Sequence, residues 1–79
     1  MVIFPGEEYV VSVPSDLGAA IKRYRTATGV TQQQAAELEG VGQPYLSALE
    51  AGKFGSSLSH ALRLLRLFGF EVVVRPRAH

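Results

Sequence analysis

The sequence predicts one small, mainly α-helical domain with four helices between two short terminal strands. Apolar residues recur at helical spacing in two longer stretches, residues 16–28 and 58–68. Between these stretches, a glycine-containing turn separates two shorter helical stretches, residues 32–39 and 43–50. Runs rich in valine and aromatic residues near both ends of the chain have the composition of strands.

The composition is that of a single small domain that is rich in apolar residues. The chain has 79 residues, of which 47% are hydrophobic and 19% are charged, and its net charge is +1. Because a domain of this size buries a modest fraction of its surface, part of its apolar surface is expected to close against a partner. The net charge is milder than the strongly basic balance typical of an autonomous DNA-binding domain.

The sequence argues against several classes of protein. It contains no cysteine, which excludes disulfides and thiolate metal sites and fits a reducing cytosol. The apolar run Val2–Phe4 is too short for a signal-peptide core, and no apolar run approaches a membrane span. The only histidines, His60 and His79, lack ligand partners at metal-site spacing, and no serine has a base positioned by a motif. We therefore expect a cytoplasmic protein without a cofactor and without catalytic activity.

The N-terminal segment is predicted to be extended and to lead into the first helix. Tyr9–Val13 is β-branched and aromatic, as strands prefer, and Pro14 is expected to end the strand. Ser15-Asp16 is expected to cap helix 1 at its N-terminus. Gly29 is expected to end helix 1 as a left-handed cap.

The two central helices are the stretch around which the rest of the chain is organised. Thr31 is predicted to cap the first of them, since its hydroxyl can accept a hydrogen bond from a free backbone N–H. Ala36 is small where the two helices must come close, and Gly40 can adopt the backbone conformation of a sharp turn. Gly42 is the predicted cap of the second helix, and Pro44 is tolerated there because it lies in the first turn.

The outward side chains of the second central helix indicate a surface that meets base edges in a groove of DNA. Gln43, Tyr45, Ser47 and Ala48 are uncharged and mostly short and polar, which is unusual for a solvated helix face. Such residues suit close approach to the major groove, where a glutamine amide can form two hydrogen bonds with adenine. For Gln43, simple solvent exposure is the alternative.

The last helix and the strand after it are predicted to close the domain. Ser56 or Ser57 is expected to cap helix 4. The predicted inner stripe of this helix consists of Leu58, Ala61, Leu62, Leu65 and Phe68, widened by Leu64 and Leu67. Phe70–Arg75 is the predicted C-terminal strand, whose backbone groups need partners. It can pair with Tyr9–Val13 of its own chain, with the same strand of a second copy, or with both.

The stretch Thr31–Gly52 resembles the helix-turn-helix of the phage-repressor (Cro/C1, or XRE) family. The matched residues are Thr31, Gln32, Ala36, Gly40, Val41, Leu46, Ser47, Leu49, Glu50 and Gly52. Ala35 stands where leucine is usual, which thins the core. Gly42 stands where serine or threonine is usual, which slightly weakens a cap. The resemblance implies the four-helix phage-repressor fold.

The C-terminal part of the chain is most similar to the HipB-type antitoxins, whose C-terminal strand pairs across a dimer. The similarity lies in the opening of helix 4, Ser56–Ser59, and in the segment Gly69–Arg77. It implies a bacterial, nucleoid-associated homodimer that binds operator DNA, represses its own operon and binds a HipA-like kinase toxin. A stand-alone regulator without a toxin is the alternative. Residues 1–14 would then be an extended segment, 15–69 the DNA-binding domain, and 70–79 the dimerisation strand and tail.

The positions of the helix starts and the resemblance together predict which residues bind DNA. The predicted DNA-binding residues are Thr31, Gln32, Gln33, Gly42, Gln43, Pro44, Tyr45, Ser47 and Lys53. Gln32 is expected to contact phosphate, because helix N-termini carry free N–H groups and partial positive charge. Gln43 is expected to read a base. Tyr45 is expected either to bond phosphate or to pack on the loop at Phe54.

Two further sets of residues receive structural roles. The resemblance implies that Arg25 and Glu50 form a partly buried ion pair that ties helix 1 to helix 3, so Arg25 is not counted as a DNA contact. The predicted dimerisation residues are Phe70, Val72, Val73 and Val74.

Overall fold

The computed structural model describes residues 8–77, which form four helices and one pair of antiparallel strands. In chain order the elements are β1 Tyr9–Val11, α1 Pro14–Ala27, α2 Gln32–Glu39, α3 Gln43–Glu50, α4 Ser56–Leu67 and β2 Val72–Val74. The prediction of a mainly helical domain with short terminal strands is confirmed. The predicted apolar run Val2–Phe4 lies outside the described residues.

Helix α1 begins at Pro14, earlier than predicted, because this proline opens the helix as well as following the strand. Proline suits the first helical position, since its fixed φ fits the helix and no intrahelical N–H bond is lost. Val13 is the N-cap residue. The Asp16 carboxylate accepts hydrogen bonds from the backbone N–H groups of Ser12 at 2.9 Å and Val13 at 3.2 Å. The predicted N-cap position at Ser15-Asp16 was therefore wrong, although Asp16 does satisfy backbone donors at the helix start.

Helix α4 also begins earlier than predicted, at Ser56, and its N-cap residue is Gly55. The predicted serine cap was therefore wrong. Glycine is an acceptable N-cap because it leaves the free N–H groups of the first turn accessible to water. At its other end, α4 reaches the C-cap residue Phe68 and stops at the left-handed Gly69.

The two strands pair with each other within the chain. The pairs are Tyr9 with Val74, Val10 with Val73, and Val11 with Val72. Side chains alternate between the two faces of a strand, and burial follows this alternation, since Val11 is buried whereas Val10 and Val73 are exposed. The Tyr24 hydroxyl of α1 donates to the Val74 carbonyl oxygen at 3.4 Å. The C-terminal strand thus uses the partner within its own chain, and pairing with a second copy stays a prediction.

The buried hydrophobic core of the described chain is small. Its residues are Val11, Ala20, Ala36 and Leu62, none of them more than 5% exposed. Helix α1 packs against α3, β1 and α4, and α2 packs against α3. Two of these four residues are alanines, which bury little apolar surface. The core therefore contributes little hydrophobic stabilisation for a chain of this length.

Only part of the predicted inner stripe of α4 is buried. Leu62 is buried and Leu58 is half-buried, whereas Ala61 and Leu65 are exposed and Phe68 is 68% exposed. The predicted stripe was wrong for the exposed residues because α1 covers a narrower face of α4 than the apolar pattern suggests. Helix α4 also contacts the loop between β1 and α1, because the Arg66 guanidinium donates a hydrogen bond to the Ser12 carbonyl oxygen.

Helices α1 and α3 approach so closely that Gly18 has no room for a side chain. A Cβ atom at Gly18 would lie 2.4 Å from the Leu49 carbonyl oxygen, 2.8 Å from the Glu50 carbonyl oxygen and 2.8 Å from the Gly52 nitrogen. Gly52 has a φ of 82°, and a Cβ there would lie 2.7 Å from the Ser15 Cα. The end of α3 therefore rests directly on the backbone of α1. Nothing in the sequence pattern distinguishes Gly18 from an ordinary helical glycine.

Candidate nucleic-acid interface

The start of α2 is fixed by a reciprocal pair of hydrogen bonds between Thr31 and Gln34. The Thr31 hydroxyl accepts from the Gln34 backbone N–H at 3.1 Å, and the Gln34 side-chain oxygen accepts from the Thr31 backbone N–H at 2.9 Å. This capping box satisfies two backbone donors that would otherwise lack partners. The Thr31 cap is confirmed. The role of Gln34 was missed, although its spacing of three residues from Thr31 is the usual sign of such a box.

The turn between α2 and α3 is tight, and it contains one residue, Gly40, in the left-handed conformation. Gly40 has φ 77° and ψ 31°, a conformation that is strained for a residue with a Cβ atom. The Val41 N–H donates to the Ala36 carbonyl oxygen at 2.9 Å, which closes the turn. Gly42 is the N-cap of α3, and Pro44 lies in its first turn, both as predicted. The first turns of the two helices are thereby held at one surface.

Most of the residues predicted to contact DNA are exposed at this surface or beside it. The exposed ones are Thr31, Gln33, Gly42, Gln43, Pro44, Tyr45, Ser47 and Lys53, while Gln32 is half-buried. Tyr45 is 58% exposed, so most of its ring is accessible. None of these side chains is acidic, and an acid here would repel phosphate. The surface can therefore hydrogen-bond to an anionic polymer without a charge penalty.

A continuous chain of hydrogen bonds runs from α1 to this surface. Arg25 donates to Glu50 twice, from Nε to Oε2 at 2.6 Å and from Nη2 to Oε1 at 3.0 Å. Gln32 Nε2 donates to the same Glu50 Oε1 at 3.1 Å, and Gln43 Nε2 donates to Gln32 Oε1 at 3.3 Å. Gln32 thus uses both ends of its amide inside the protein. Only the Gln43 end of the chain faces solvent.

The Arg25–Glu50 ion pair at the inner end of this chain is largely buried. The two side chains are 13% and 3% exposed, respectively. The hydrogen bond from Arg25 holds the pKa of Glu50 below its ordinary value, assisted by Gln32 and opposed by burial. The hydrogen bond to Glu50 raises the pKa of Arg25. Arg25 Nη1 also donates to the Val30 carbonyl oxygen at 2.8 Å, so the guanidinium joins three parts of the fold.

Between residues 8 and 77, no group of three or more histidine, aspartate or glutamate side chains is placed to hold a metal ion. No helix in this range is long and apolar enough to cross a bilayer.

Comparison with known proteins identifies similar sequences. A family described as a helix-turn-helix domain matches residues 16–78, which include every residue predicted to contact DNA. An uncharacterized HTH-type transcriptional regulator, y4mF, of Sinorhizobium fredii (strain NBRC 101917 / NGR234) is 29% identical over 62 residues. That similarity covers 78% of this chain and 82% of the relative. No solved structure matches the chain.

Proposed function

This chain belongs to the helix-turn-helix domain family of DNA-binding transcriptional regulators, and from that premise we propose that it is a dimeric, sequence-specific repressor. The observation that carries the proposal is the exposed, uncharged face of α3, whose first turn lies beside the first turn of α2. Uncharged polar side chains suit hydrogen bonding to base edges in the major groove. Two adjacent helix starts direct free N–H groups and partial positive charge toward phosphates.

We assign base reading to Gln43 and backbone contacts to its neighbours. Gln43 is exposed and stands at the first position of α3, the part of a recognition helix that usually meets base edges. Pro44 has no donor and offers apolar contact, for example to a thymine methyl group. The hydroxyls of Tyr45 and Ser47 and the ammonium group of Lys53 serve phosphate. Thr31, Gln32, Gln33 and Gly42 complete the proposed surface at the helix starts.

Replacing Gln43 with alanine is expected to weaken operator binding roughly tenfold or more and to leave the fold intact. A good bidentate contact between a side chain and a base contributes about 1–3 kcal/mol of discrimination. An exposed substitution of this kind changes stability by less than ~0.5 kcal/mol. Fluorescence anisotropy with a duplex selected from a random pool measures the affinity at several salt concentrations.

Two controls accompany the Gln43 variant. Thr26→Ala changes an exposed residue on α1, which lies outside both the proposed DNA-binding surface and the apolar face of α4, and should bind as the wild type does. Thermal unfolding of both variants tests the fold. A Gln43→Ala protein with wild-type affinity and sequence preference would contradict the base-reading assignment.

The apolar surface near the C-terminus supports dimerisation with a second copy. Leu64, Leu67, Phe68 and Phe70 are 52%, 75%, 68% and 64% exposed. Leu64, Leu67 and the C-cap residue Phe68 lie on one side of the end of α4, since Leu67 and Phe68 follow Leu64 by three and four positions. Large contiguous apolar patches are uncommon on monomers, and a free strand edge also needs covering. We propose that this face and the predicted dimerisation strand, Phe70 with Val72–Val74, close against the same surfaces of a partner.

Replacing Leu67 with glutamine is expected to raise the dimer dissociation constant roughly a hundredfold. Burying one leucine contributes about 1.5–3 kcal/mol, and in a two-fold interface each substitution acts twice. Analytical ultracentrifugation measures the dissociation constant. Leu38→Gln is the matched control, because Leu38 is 83% exposed on α2 and lies outside the proposed interface. A wild-type protein that sediments as a monomer at ~100 μM, or a Leu67 variant that dimerises normally, would contradict the proposed interface.

Dimerisation also bears on how DNA is bound. Two copies related by a two-fold axis would place their α3 helices in successive major grooves, about 34 Å apart, one turn of DNA. Phosphate contacts from both copies then add, which offsets the mild net charge of each chain. Such a protein acts at the nucleoid, in the bacterial cytoplasm.

We propose further that this repressor is an antitoxin that represses its own operon and binds a HipA-like kinase toxin. The support is the resemblance of Ser56–Ser59 and Gly69–Arg77 to the HipB-type antitoxins. The alternative is a stand-alone regulator without a toxin. Co-expression with the product of the neighbouring gene tests the choice. Co-purification of a kinase-like neighbour with this chain supports the antitoxin role, whereas a neighbour that is not kinase-like or does not co-purify favours the stand-alone regulator.

A further inference from the structure

The open edge of β2 is bounded at both ends by residues that cannot extend a ladder of hydrogen bonds. Strand β1 covers one edge of β2, and the described chain places no strand along the other edge. The Phe70 N–H donates to the Leu65 carbonyl oxygen at 2.9 Å, at the end of α4. Pro76 has no N–H group. The segment that can pair with a further strand is therefore Glu71–Arg75, which is centred on Val73.

This segment carries opposite charges at equal distances from its centre. Glu71 lies two residues before Val73, and Arg75 lies two residues after it. Since side chains alternate along a strand, all three side chains leave β2 on the same face. All three residues are exposed. When the segment is reversed it complements itself, so an antiparallel copy centred on Val73 places each acid opposite a base.

The same face already carries one cross-strand ion pair. Glu8 continues the register of the two strands and lies opposite Arg75, with 3.7 Å between Glu8 Oε2 and Arg75 Nη1. The two side chains are 48% and 69% exposed, respectively, so Arg75 keeps most of its surface for a further contact. A second copy on the open edge of β2 would place the partner's Glu71 on the other side of the Arg75 guanidinium, which would then lie between two carboxylates.

The outer edge of β1 fits a second copy less well. The Ser12 N–H donates to the Asp16 carboxylate at 2.9 Å, and the Ser12 carbonyl oxygen accepts from Arg66, so both backbone groups of Ser12 are already engaged. The residues placed symmetrically about Val10, the centre of β1, are Glu8 and Ser12, which cannot form an ion pair. The edge of β2 is therefore the one that complements its own copy.

We propose that Glu71 and Arg75 fix the register in which β2 pairs with β2 of a second copy, with Val73 of each chain at the two-fold axis. This inference rests on the proposed function, because it requires the dimer formed through the C-terminal strand. Glu71 of each chain then faces the partner's Arg75, which gives two symmetric ion pairs. A shift by one residue would turn the two copies' charged faces to opposite sides, and a shift by two toward the C-terminus would bring Pro76 into the ladder.

The register has a consequence for how the dimer meets DNA. The strand pair sets the position of one copy relative to the other, so its register also sets the separation of the two α3 helices. The charges of β2 thereby contribute to the spacing between the two halves of the operator that the dimer can bind.

Disulfide cross-linking measures the register directly, because the natural chain has no cysteine. Val73→Cys places a single thiol at the axis, where the Cβ atoms of the two copies would be about 5 Å apart, near enough for oxidation to join them. Val10→Cys is the matched control, since Val10 is exposed on the same face but would lie three strand spacings, about 14 Å, from its copy. On a non-reducing gel after oxidation, we expect mostly covalent dimer from Val73→Cys and mostly monomer from Val10→Cys.

Reversing one charge tests the ion pairs. Glu71→Arg places arginine opposite the partner's Arg75 at both symmetric positions, and we expect the dimer dissociation constant to rise about tenfold at low salt. The difference from the wild type should shrink at about 1 M salt, because exposed charges are then screened. Glu39→Arg is the control, since it makes the same change in net charge at an exposed position on α2, and it should dimerise as the wild type does.

Exchanging both charges tests the specificity of pairing. The double variant Glu71→Arg, Arg75→Glu restores two ion pairs in its own dimer, whereas a mixed dimer with the wild type sets like charges opposite each other. Native mass spectrometry with isotope-labelled wild type is expected to show fewer mixed dimers than the half that random exchange gives. Circular dichroism tests the fold, and the single variants carry the test if the new glutamate disturbs the strand pair at Glu8.

The possible failures are distinguishable. A dimeric wild type that gives equal cross-linking of Val73→Cys and Val10→Cys overturns the register and leaves the proposed repressor standing. Dimerisation of Glu71→Arg as tight as that of Glu39→Arg, or random mixing of the folded double variant, does the same. A wild type that stays monomeric overturns the proposed dimer and the register with it.

Discussion

Replacing Gly18 with alanine is expected to destabilise the protein by about 3 kcal/mol, although alanine is the better helix former. In an open helix this substitution stabilises by about 0.5–1 kcal/mol. Here the new Cβ would lie 2.4 Å from the Leu49 carbonyl oxygen, and the surrounding atoms belong to the backbone. Backbone atoms cannot rotate away as a flexible side chain can, so α1 and α3 would have to separate. Urea unfolding followed by circular dichroism measures the change.

The expected destabilisation by Gly18→Ala is a large fraction of the free energy of unfolding expected for a chain of this length. At about 0.05–0.15 kcal/mol per residue, the whole domain has roughly 4–12 kcal/mol. Gly55→Ala is the matched control, because nothing lies within 4 Å of a Cβ atom there and its φ of −69° suits alanine. We expect it to cost less than ~1 kcal/mol. Equal stability of the Gly18 and Gly55 variants would contradict the close helix approach.

Breaking the Arg25–Glu50 pair from one side is expected to cost about 3–5 kcal/mol. Arg25→Met leaves a carboxylate that is 3% exposed without its cation, and Glu50→Leu leaves the guanidinium without its anion. The double variant removes both charges and is expected to recover most of the loss. Chemical denaturation of the wild type, both single variants and the double variant forms a complete cycle. Losses that simply add in the double variant would show that the two side chains do not stabilise each other.

The same four proteins report how the pair depends on pH. Arg25 holds the folded-state pKa of Glu50 below its ordinary value, so folding favours the ionised form. The resulting stabilisation is complete above the unfolded pKa of about 4.3 and is lost as the pH falls through the folded pKa. The wild type should therefore lose stability more steeply between pH 5 and about pH 3 than the double variant does. Parallel curves for the two proteins would contradict this assignment.

The central helices were predictable because their signals are local. Thr31, Gly42 and Pro44 each act on the backbone within a few residues, so their effect on α2 and α3 can be predicted without knowing the fold. The predicted start of α1 was wrong because one local signal fits two positions. Pro14 is compatible both with the end of a strand and with the first turn of a helix, and the sequence does not decide between these positions.

The features that the sequence could not reveal depend on distances between helices. Gly18 is essential because two backbones meet at that point, and helical periodicity carries no information on how near they come. The link from Glu50 to Gln43 through Gln32 joins residues of two helices whose relative placement is set by the turn at Gly40. The predicted burial of the α4 side chains was partly wrong. An apolar stripe indicates that a helix face is covered, but it does not identify which part of the chain or which partner covers it.

The antiparallel pairing of β1 and β2 joins the two ends of the described chain, and this has a consequence for the order of folding. Tyr9 pairs with Val74, so every helix lies between the partners, and the sheet closes only after nearly the whole chain is available. Closing so long a loop costs entropy that contacts within the three N-terminal helices do not incur. Helices α1, α2 and α3 can therefore assemble before β2 pairs with β1. The surface proposed to read DNA is therefore expected to form before the strand pair that is proposed to join two copies of it.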